Sequence, residues 1–473
     1  MNSGNLGVPR PRGGPGGMAA GGHGGMGQGS LVLTRTMFAS LANRDFLLVW
    51  LSNLAAMFGM QMQMVARGWL IYDMTTSAVA LAWVTFSFMM PTLIFSLLGG
   101  VIADRLRKKR VMIFAQVMHF IAMLVIATIT ITGNVTFTYF IFFGLLNGTL
   151  MSLNAPARQA IVPGIVGESG LGNAVALNMA SMNLSRILAP TIAGVLIALL
   201  AGGDKTSALG VGIVFYVIAV LDLLSVVVLL LLRYEGRDVR VERRGMVSDM
   251  GDGLKYVKSS PLIMGLLVMG FVPMLFGMPL MFLLPVFNKE VLKMGPEGLG
   301  LLMTAMGAGA LIGSLALAGA GNVGRKGLIL LASAMVWALF MGLFALSGNL
   351  SMSLLLLAMV GLSSTAYMAM NMTLIQLAVP ARMMGRVMSL AMMTFGLMPL
   401  GVFPMSIVAE SYGIGTAFLA GAVGLGIATI TCAIVFQSIR RIDKGHEPLA
   451  EPVSSNDYPG DPVSAQTDMA AKK

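Results

Sequence analysis

Twelve apolar runs dominate this chain, and each is long enough to cross a lipid bilayer. They fall at about 46–66, 78–102, 111–132, 136–154, 173–201, 208–232, 262–287, 299–319, 328–347, 350–376, 386–409 and 413–437. A spanning helix needs about 20 apolar residues. Hydrocarbon offers the backbone no partner, so each crossing must satisfy its own N–H and C=O groups and is predicted to be helical. The whole 473-residue chain fits that reading, with 56% hydrophobic and only 11% charged residues and a mean hydropathy of +0.84. A soluble domain carries roughly a quarter charged residues, and one this apolar would expose large patches to water. The expected fold class is an all-α membrane protein with twelve transmembrane helices.

The polar segments divide the chain. Residues 1–40 are Gly-rich and lack an apolar h-region, so they are expected as a disordered tail, not a cleaved leader. The longest break between runs, 234–260, mixes both charge signs and separates six runs (41–233) from six (261–438). It reads as a cytoplasmic linker or surface helix. Residues 439–473, with Pro448, Pro452, Pro459 and Pro462, read as a second disordered tail. Orientation follows from Lys and Arg. With both termini cytoplasmic, 26 basic residues fall on inner segments and four (Arg67, Lys205, Lys289, Lys293) on outer ones. The net charge of +11 therefore reports membrane topology, and no nucleic-acid partner is expected. Trp69 and Tyr72, at the outer end of the first run, are expected in an interfacial aromatic belt.

Several chemistries are disfavoured. Cys432 is the one cysteine, and His23, His119 and His446 lie far apart, so neither a disulfide nor a metal site is expected. No Gly-rich phosphate loop or nucleophile elbow occurs. No cofactor or enzymatic activity is expected, and any transport is driven by a gradient. The 42 Met residues fit flexible packing or an adaptable cavity for apolar ligands.

An internal duplication is legible. Asn154, Gln159, Val162 and Pro163 end the fourth run, and Asn371, Gln376, Val379 and Pro380 recur at the same spacing at the end of the tenth. Gly172, Leu177 and Met179 are matched by Gly385, Leu390 and Met392, after a short length difference. The chain is thus expected as two pseudo-symmetric six-helix halves with a substrate between them near the midplane.

The connection Gly100-Val-Ile-Ala-Asp104-Arg105-Leu-Arg107-Lys108-Lys109-Arg110 resembles the loop signature of the major facilitator superfamily. Gly100, Asp104, Arg105 and Arg110 match it and Lys109 matches in charge, while Arg107 stands where the signature has glycine. The resemblance implies that Asp104 caps the start of the eleventh helix and latches a cytoplasmic gate, with the cations pairing to nearby acids. Arg186-Ile-Leu-Ala189-Pro190-Thr-Ile-Ala193-Gly194 looks like a loose form of the antiporter motif of exporters in that superfamily. Gly68 to Ser77 and Pro380 to Leu390 are similar to the branch that includes the enterobactin exporter. Over residues 41–437 the resemblance implies the major facilitator fold and a secondary transporter working by alternating access.

Ionisable groups inside the membrane are costly and suggest function. Asp222, deep in the sixth run, and Arg186, in the fifth, are candidates for coupling to protons or for neutralising each other. Gln61, Gln63, Arg67, Asn147, Asn154, Arg158 and Gln376 are candidate cavity residues, and His119 is a lesser proton candidate. The reading that follows is a proton-coupled exporter of small amphipathic, drug- or siderophore-like molecules, monomeric in the inner membrane. Its rivals are an importer of a small polar solute and a non-transporting scaffold or sensor.

Overall fold

The computed structural model describes residues 39–105, 107–200, 208–236, 246–319 and 324–440, with the side chains of 96–105, 246–250, 252 and 381–382 excluded. The expected tails 1–40 and 439–473 lie almost wholly outside the described residues. Among the described residues the regular structure is helical. After a short 3-10 turn, the helices are α1 (Arg44–Thr75), α2 (Ala78–Arg105), α3 (Lys108–Ile131), α4 (Phe137–Leu200) and α5 (Ala208–Leu230). Then come α6 (Met246–Ser259), α7 (Pro261–Phe276), α8 (Pro279–Glu290), α9 (Pro296–Gly319) and α10 (Lys326–Ala345). The last are α11 (Leu350–Ala378), α12 (Ala381–Gly396), α13 (Pro399–Tyr412), α14 (Ile414–Val435) and α15 (Gln437–Arg440).

Local chemistry sets several boundaries. The Asn43 side chain accepts from the Asp45 and Phe46 amides at 3.0 and 3.3 Å, satisfying orphan donors at the start of α1. Asn349 does the same for Met352 at 2.9 Å, and Ser260 for Ile263 at 3.4 Å, where Pro261 opens α7 without wasting a donor.

Among the described residues, eleven helices or helix pairs are long and apolar enough to span a membrane. One of them, α4, has 64 residues. At 1.5 Å per residue that is roughly 96 Å, about three times the hydrocarbon thickness. The helix breaks at Gly167, whose backbone (φ 68°, ψ 178°) is a conformation glycine tolerates. Its arms, 137–166 and 168–200, correspond to the fourth and fifth apolar runs. In the second copy of the repeat the break falls at Val379–Pro380, immediately after α11. The helix runs through Pro163 for four more residues before breaking in the first copy, which accounts for the length difference between the two. The seventh run is divided into α7 and α8 around Gly277–Met278, and the eleventh into α12 and α13 around Leu397–Met398. The 234–260 linker contains α6, which buries Tyr256 and Val257 and packs on α12 and α7.

Helices α1–α5 pack mainly on one another, and α7–α14 likewise. The two groups meet where the second arm of α4 lies on α9, where α2 runs along α12 and α13, and where α8 touches α1 and α2. Large apolar side chains such as Phe142, Leu199 and Leu355 point outward, as a lipid solvent permits. Since lipid tails are as apolar as leucine, close contact rests on small residues. In the α9–α11 pair, a methyl on Gly313 would lie 2.5 Å from the Leu362 carbonyl oxygen. Methyls on Gly309 and Gly361 would overlap the carbonyls of Ala358 and Met306 outright.

Those contacts are with backbone, which cannot rotate aside. Gly309→Ala is therefore expected to destabilise the purified protein by about 1–3 kcal/mol. Gly348→Ala, where a methyl meets nothing, should leave the thermal unfolding midpoint unchanged.

Candidate functional site

Three features converge on the seam between the two helix groups. The first is the α4–α9 contact. Ala189 and Ala193 are fully buried there. A methyl on Gly194 would come within 2.6 Å of the Pro296 carbonyl oxygen, and one on Gly300 within 2.6 Å of that of Pro190. The Thr191 and Thr304 hydroxyls meet at 2.6 Å. The Ala189-Pro190-Gly194 motif thus forms the close face on which the groups touch. Arg186 lies one turn along the same face, its backbone oxygen 2.8 Å from a methyl built on Gly307.

The second is a polar bridge at the Tyr72 end of the seam. Lys289 Nζ pairs with Asp73 Oδ1 at 2.6 Å and sits 5.8 Å from the ring centroids of both Trp69 and Tyr72. The Tyr72 hydroxyl donates to Glu290. Ser77 donates to Glu410, whose carboxylate also accepts from the Val79 amide at 3.0 Å. Each contact joins the N-terminal group to the C-terminal one. This corrects the aromatic-belt expectation. Trp69 and Tyr72 are buried against the partner helices, because a cation and an acid there engage their polar and π surfaces. Beneath the bridge is a cleft lined by Arg67, Thr85, Met281, Phe282, Pro285 and Met303, among others. Arg67 belongs to the outer connections in the topology count, but the structure places it two turns inside α1.

The third is a buried network inside the N-terminal group, nearer the basic end. Asp222 is 2% exposed. Its carboxylate accepts from Gln116 Nε2 at 2.5 Å and contacts His119 Nδ1 at 2.7 Å. Gln116 Oε1 in turn accepts from Arg158 Nη2 at 3.0 Å, and Asn154 Oδ1 accepts from Arg158 Nε at 3.2 Å. Arg186 is not part of it. Asp222 faces α3 while Arg186 faces α9, so the suggested mutual neutralisation does not occur. Gln116 is the functional candidate that sequence reasoning missed. Its signal was spacing, since residues three apart share a helix face, which puts Gln116 beside His119.

The remaining candidates separate. Asn147 Nδ2 donates to Gln63 Oε1 at 3.2 Å, joining the first arm of α4 to α1. Gln61 lies on the far side of α1 from Gln63 and makes no hydrogen bond among the described residues. Gln376 is exposed on α11 and likewise unpaired there. In the basic connection, Gly100, Asp104 and Arg105 fall where side chains lie outside the described residues, so the capping contact expected of Asp104 is not described. Arg107 takes an ordinary extended backbone (φ −65°, ψ 119°), so the turn needs no glycine. It pairs with Glu235 at 2.5 Å. Lys109 Nζ donates to the carbonyls of Leu230 and Leu232 at 3.1 and 2.6 Å, capping α5 where an acid partner was expected. Arg110 is exposed.

A family model described as a transmembrane secretion effector, within the major facilitator superfamily, matches residues 35–470. The chain is 26% identical over 379 residues to the staphyloferrin A transporter of Staphylococcus aureus, covering 80% of this chain and 91% of that protein. It is 27% identical over 291 residues to the enterobactin exporter EntS of Shigella boydii, covering 62% and 67%. Among solved structures it is similar to the nucleoside transporter NupG, with a TM-score of 0.66 and 15% identity over 83% of this chain and 99% of that one. It is also similar to a bacterial homologue of the human lysosomal transporter Spinster in an inward-facing, unoccupied conformation, with a TM-score of 0.65 and 13% identity over 84% and 98%.

The polar bridge joins the two groups at the Tyr72 end, so weakening it should increase access there. With Cys432→Ala as background, a cysteine at Thr85 should react several-fold faster with a membrane-impermeant maleimide once Glu410→Ala and Lys289→Ala are added, since losing about 1 kcal/mol shifts a two-state population about fivefold. Equal rates would show that these contacts do not control access.

Proposed function

The chain belongs to the transmembrane secretion effector family of the major facilitator superfamily, a multi-pass membrane transporter of small molecules, and from that premise we propose that it is a proton-coupled exporter of small amphipathic compounds. The observation that carries the reading is the buried Asp222–His119 pair, tied through Gln116 to Arg158. Among the described spans Asp222 is the one acid far from a helix end, and a titratable group in that place is expensive unless it is used. The cycle is proposed as follows. Deprotonated Asp222 holds Gln116 and His119, and Gln116 holds Arg158. A proton on Asp222 removes the acceptor charge, releases the Gln116 amide and frees Arg158, which changes how α3, α4 and α5 pack.

Export is supported by the Ala189-Pro190-Gly194 contact at the seam between the two groups and by the similarity to the enterobactin exporter. Two bundles, 41–233 and 261–438, are proposed to rock about the α4–α9 and α2–α13 contacts. The excess of Lys and Arg at the other end supports a topology with both termini in the cytoplasm and the bridged Tyr72 end outside. The structure then represents a state closed to the outside, and Asp104 is proposed to latch the opposite end in the other state. The protein acts as a monomer in the inner membrane.

In proteoliposomes carrying an imposed pH gradient, a panel of dyes, siderophores and drugs should yield at least one compound whose flux follows the gradient. Asp222→Asn, which keeps the shape and one acceptor oxygen but cannot take up a proton, should abolish that dependence while the protein still folds. A variant that still responds to the gradient like the native protein would remove Asp222 from the mechanism.

A further inference from the structure

Proline inside a membrane helix leaves a carbonyl without its donor, and α7 has one at Pro273. The orphan is the Met269 carbonyl, four residues back. The Tyr367 hydroxyl of α11 donates to it. One turn away on α11, the Asn371 side chain reaches the same stretch of α7. Its Nδ2 donates to the Leu266 carbonyl at 3.2 Å, and its Oδ1 accepts from the Gly270 amide at 3.1 Å. Those two main-chain groups would bond each other in an uninterrupted helix. Gly270 has no side chain to block the approach, and a methyl there would lie 3.3 Å from the Asn371 amide group.

Both side chains are buried, and the Tyr367 ring stands edge-on to Trp337 with centroids 6.0 Å apart. Residues 367 and 371 share a face of α11. A void bounded by Leu267, Gly270, Met274, Met368 and Thr394 lies against the same turn of α7. Hydrogen bonds from α11 therefore hold the course of α7 over 266–273, where the proline and the void weaken it. Gly277 (φ −97°, ψ −47°) and Met278 (φ −67°, ψ −30°) keep near-helical backbone, so α8 continues α7 through the break. Lys289 and Glu290 stand at the end of α8, where they meet Asp73 and Tyr72. Lys289 is sixteen residues beyond Pro273. Over that length, roughly 24 Å of helix, a tilt of about 5° moves the far end by roughly 2 Å, enough to part a hydrogen-bonded ion pair.

We propose that Tyr367 and Asn371 are positioning residues, which clasp the proline-weakened turn of α7 and set the reach of α8 to the polar bridge. Closure of the Tyr72 end then depends on two side chains buried inside the C-terminal group, as well as on the bridge contacts themselves. The clasp satisfies main-chain groups that hydrocarbon cannot, which is what lets a proline stand in this span. The inference concerns closure alone and needs neither export nor proton coupling.

Nitroxides on Met74→Cys in α1 and Lys293→Cys just beyond α8, both exposed positions, report the separation at the bridge without removing a bridge contact. They are introduced with Cys432→Ala into the full chain in nanodiscs and read by pulsed electron paramagnetic resonance. Tyr367→Phe removes one hydroxyl and should raise the population at longer distance about fivefold, the shift for one net hydrogen bond. Asn371→Leu, close in volume, should raise it several-fold too, which carries the test if Tyr367→Phe does not fold. Pro273→Ala restores a main-chain N–H for the Met269 carbonyl, so in that background Tyr367→Phe should raise the population by less than about twofold. A packing role for Tyr367 would give the same rise in both backgrounds. An unchanged distribution in both Tyr367→Phe and Asn371→Leu, or an equal rise with and without Pro273, would overturn the assignment. No transport is measured, so either outcome leaves the export reading to its own test.

Discussion

A polypeptide in hydrocarbon must satisfy its backbone from within each segment, and the architecture described above follows from that constraint. It makes the spans helical, and it also removes the usual reason for helices to associate, since lipid solvates leucine as well as a protein core does. What remains is proximity. The α9–α11 and α4–α9 contacts are built on glycine and alanine because backbones must come within reach of one another for dispersion to accumulate. The same rule that holds a group together also makes the seam between groups. Ala189, Ala193, Gly194, Gly300 and Gly307 form a smooth surface with few interlocking side chains, a contact suited to rolling as well as to holding.

Against that background the polar groups stand out by how they are settled. At the Tyr72 end, acids and bases from opposite groups are paired where water can reach, so breaking them is inexpensive and the bridge can serve as a reversible closure. Deeper in, Asp222 is held by neutral or titratable partners, Gln116 and His119, and not by a permanent cation.

Much of the fold was legible without coordinates, because hydrophobic length, charge asymmetry and a repeat survive as one-dimensional patterns. The Asn154/Asn371 and Gly172/Gly385 matches even located the break after the fourth run, though four residues early. The site was only partly legible. Arg67, Gln63, Asp222 and Arg158 could be singled out, since any polar residue in an apolar run is conspicuous. Their partners could not. Arg186 and Asp222 looked like natural counterparts as the two charges of adjacent runs, yet helix rotation turns them to different neighbours. Gln116 drew no attention because a lone amide in an apolar run has many ordinary uses.

By itself, the sequence determined that this protein crosses a bilayer many times in apolar helices and that its basic residues concentrate in the connections and tails rather than in the spans. These follow from free energies of transfer and from electrostatics at the membrane surface, which act residue by residue and need no knowledge of neighbours. The tertiary structure alone decided which polar groups meet: Asp222 with His119 and Gln116, Lys289 with Asp73, and Arg67, among the described residues, with no acid. Those pairings depend on the rotation and tilt of each helix, and close backbone packing sets both through contacts far apart in the chain.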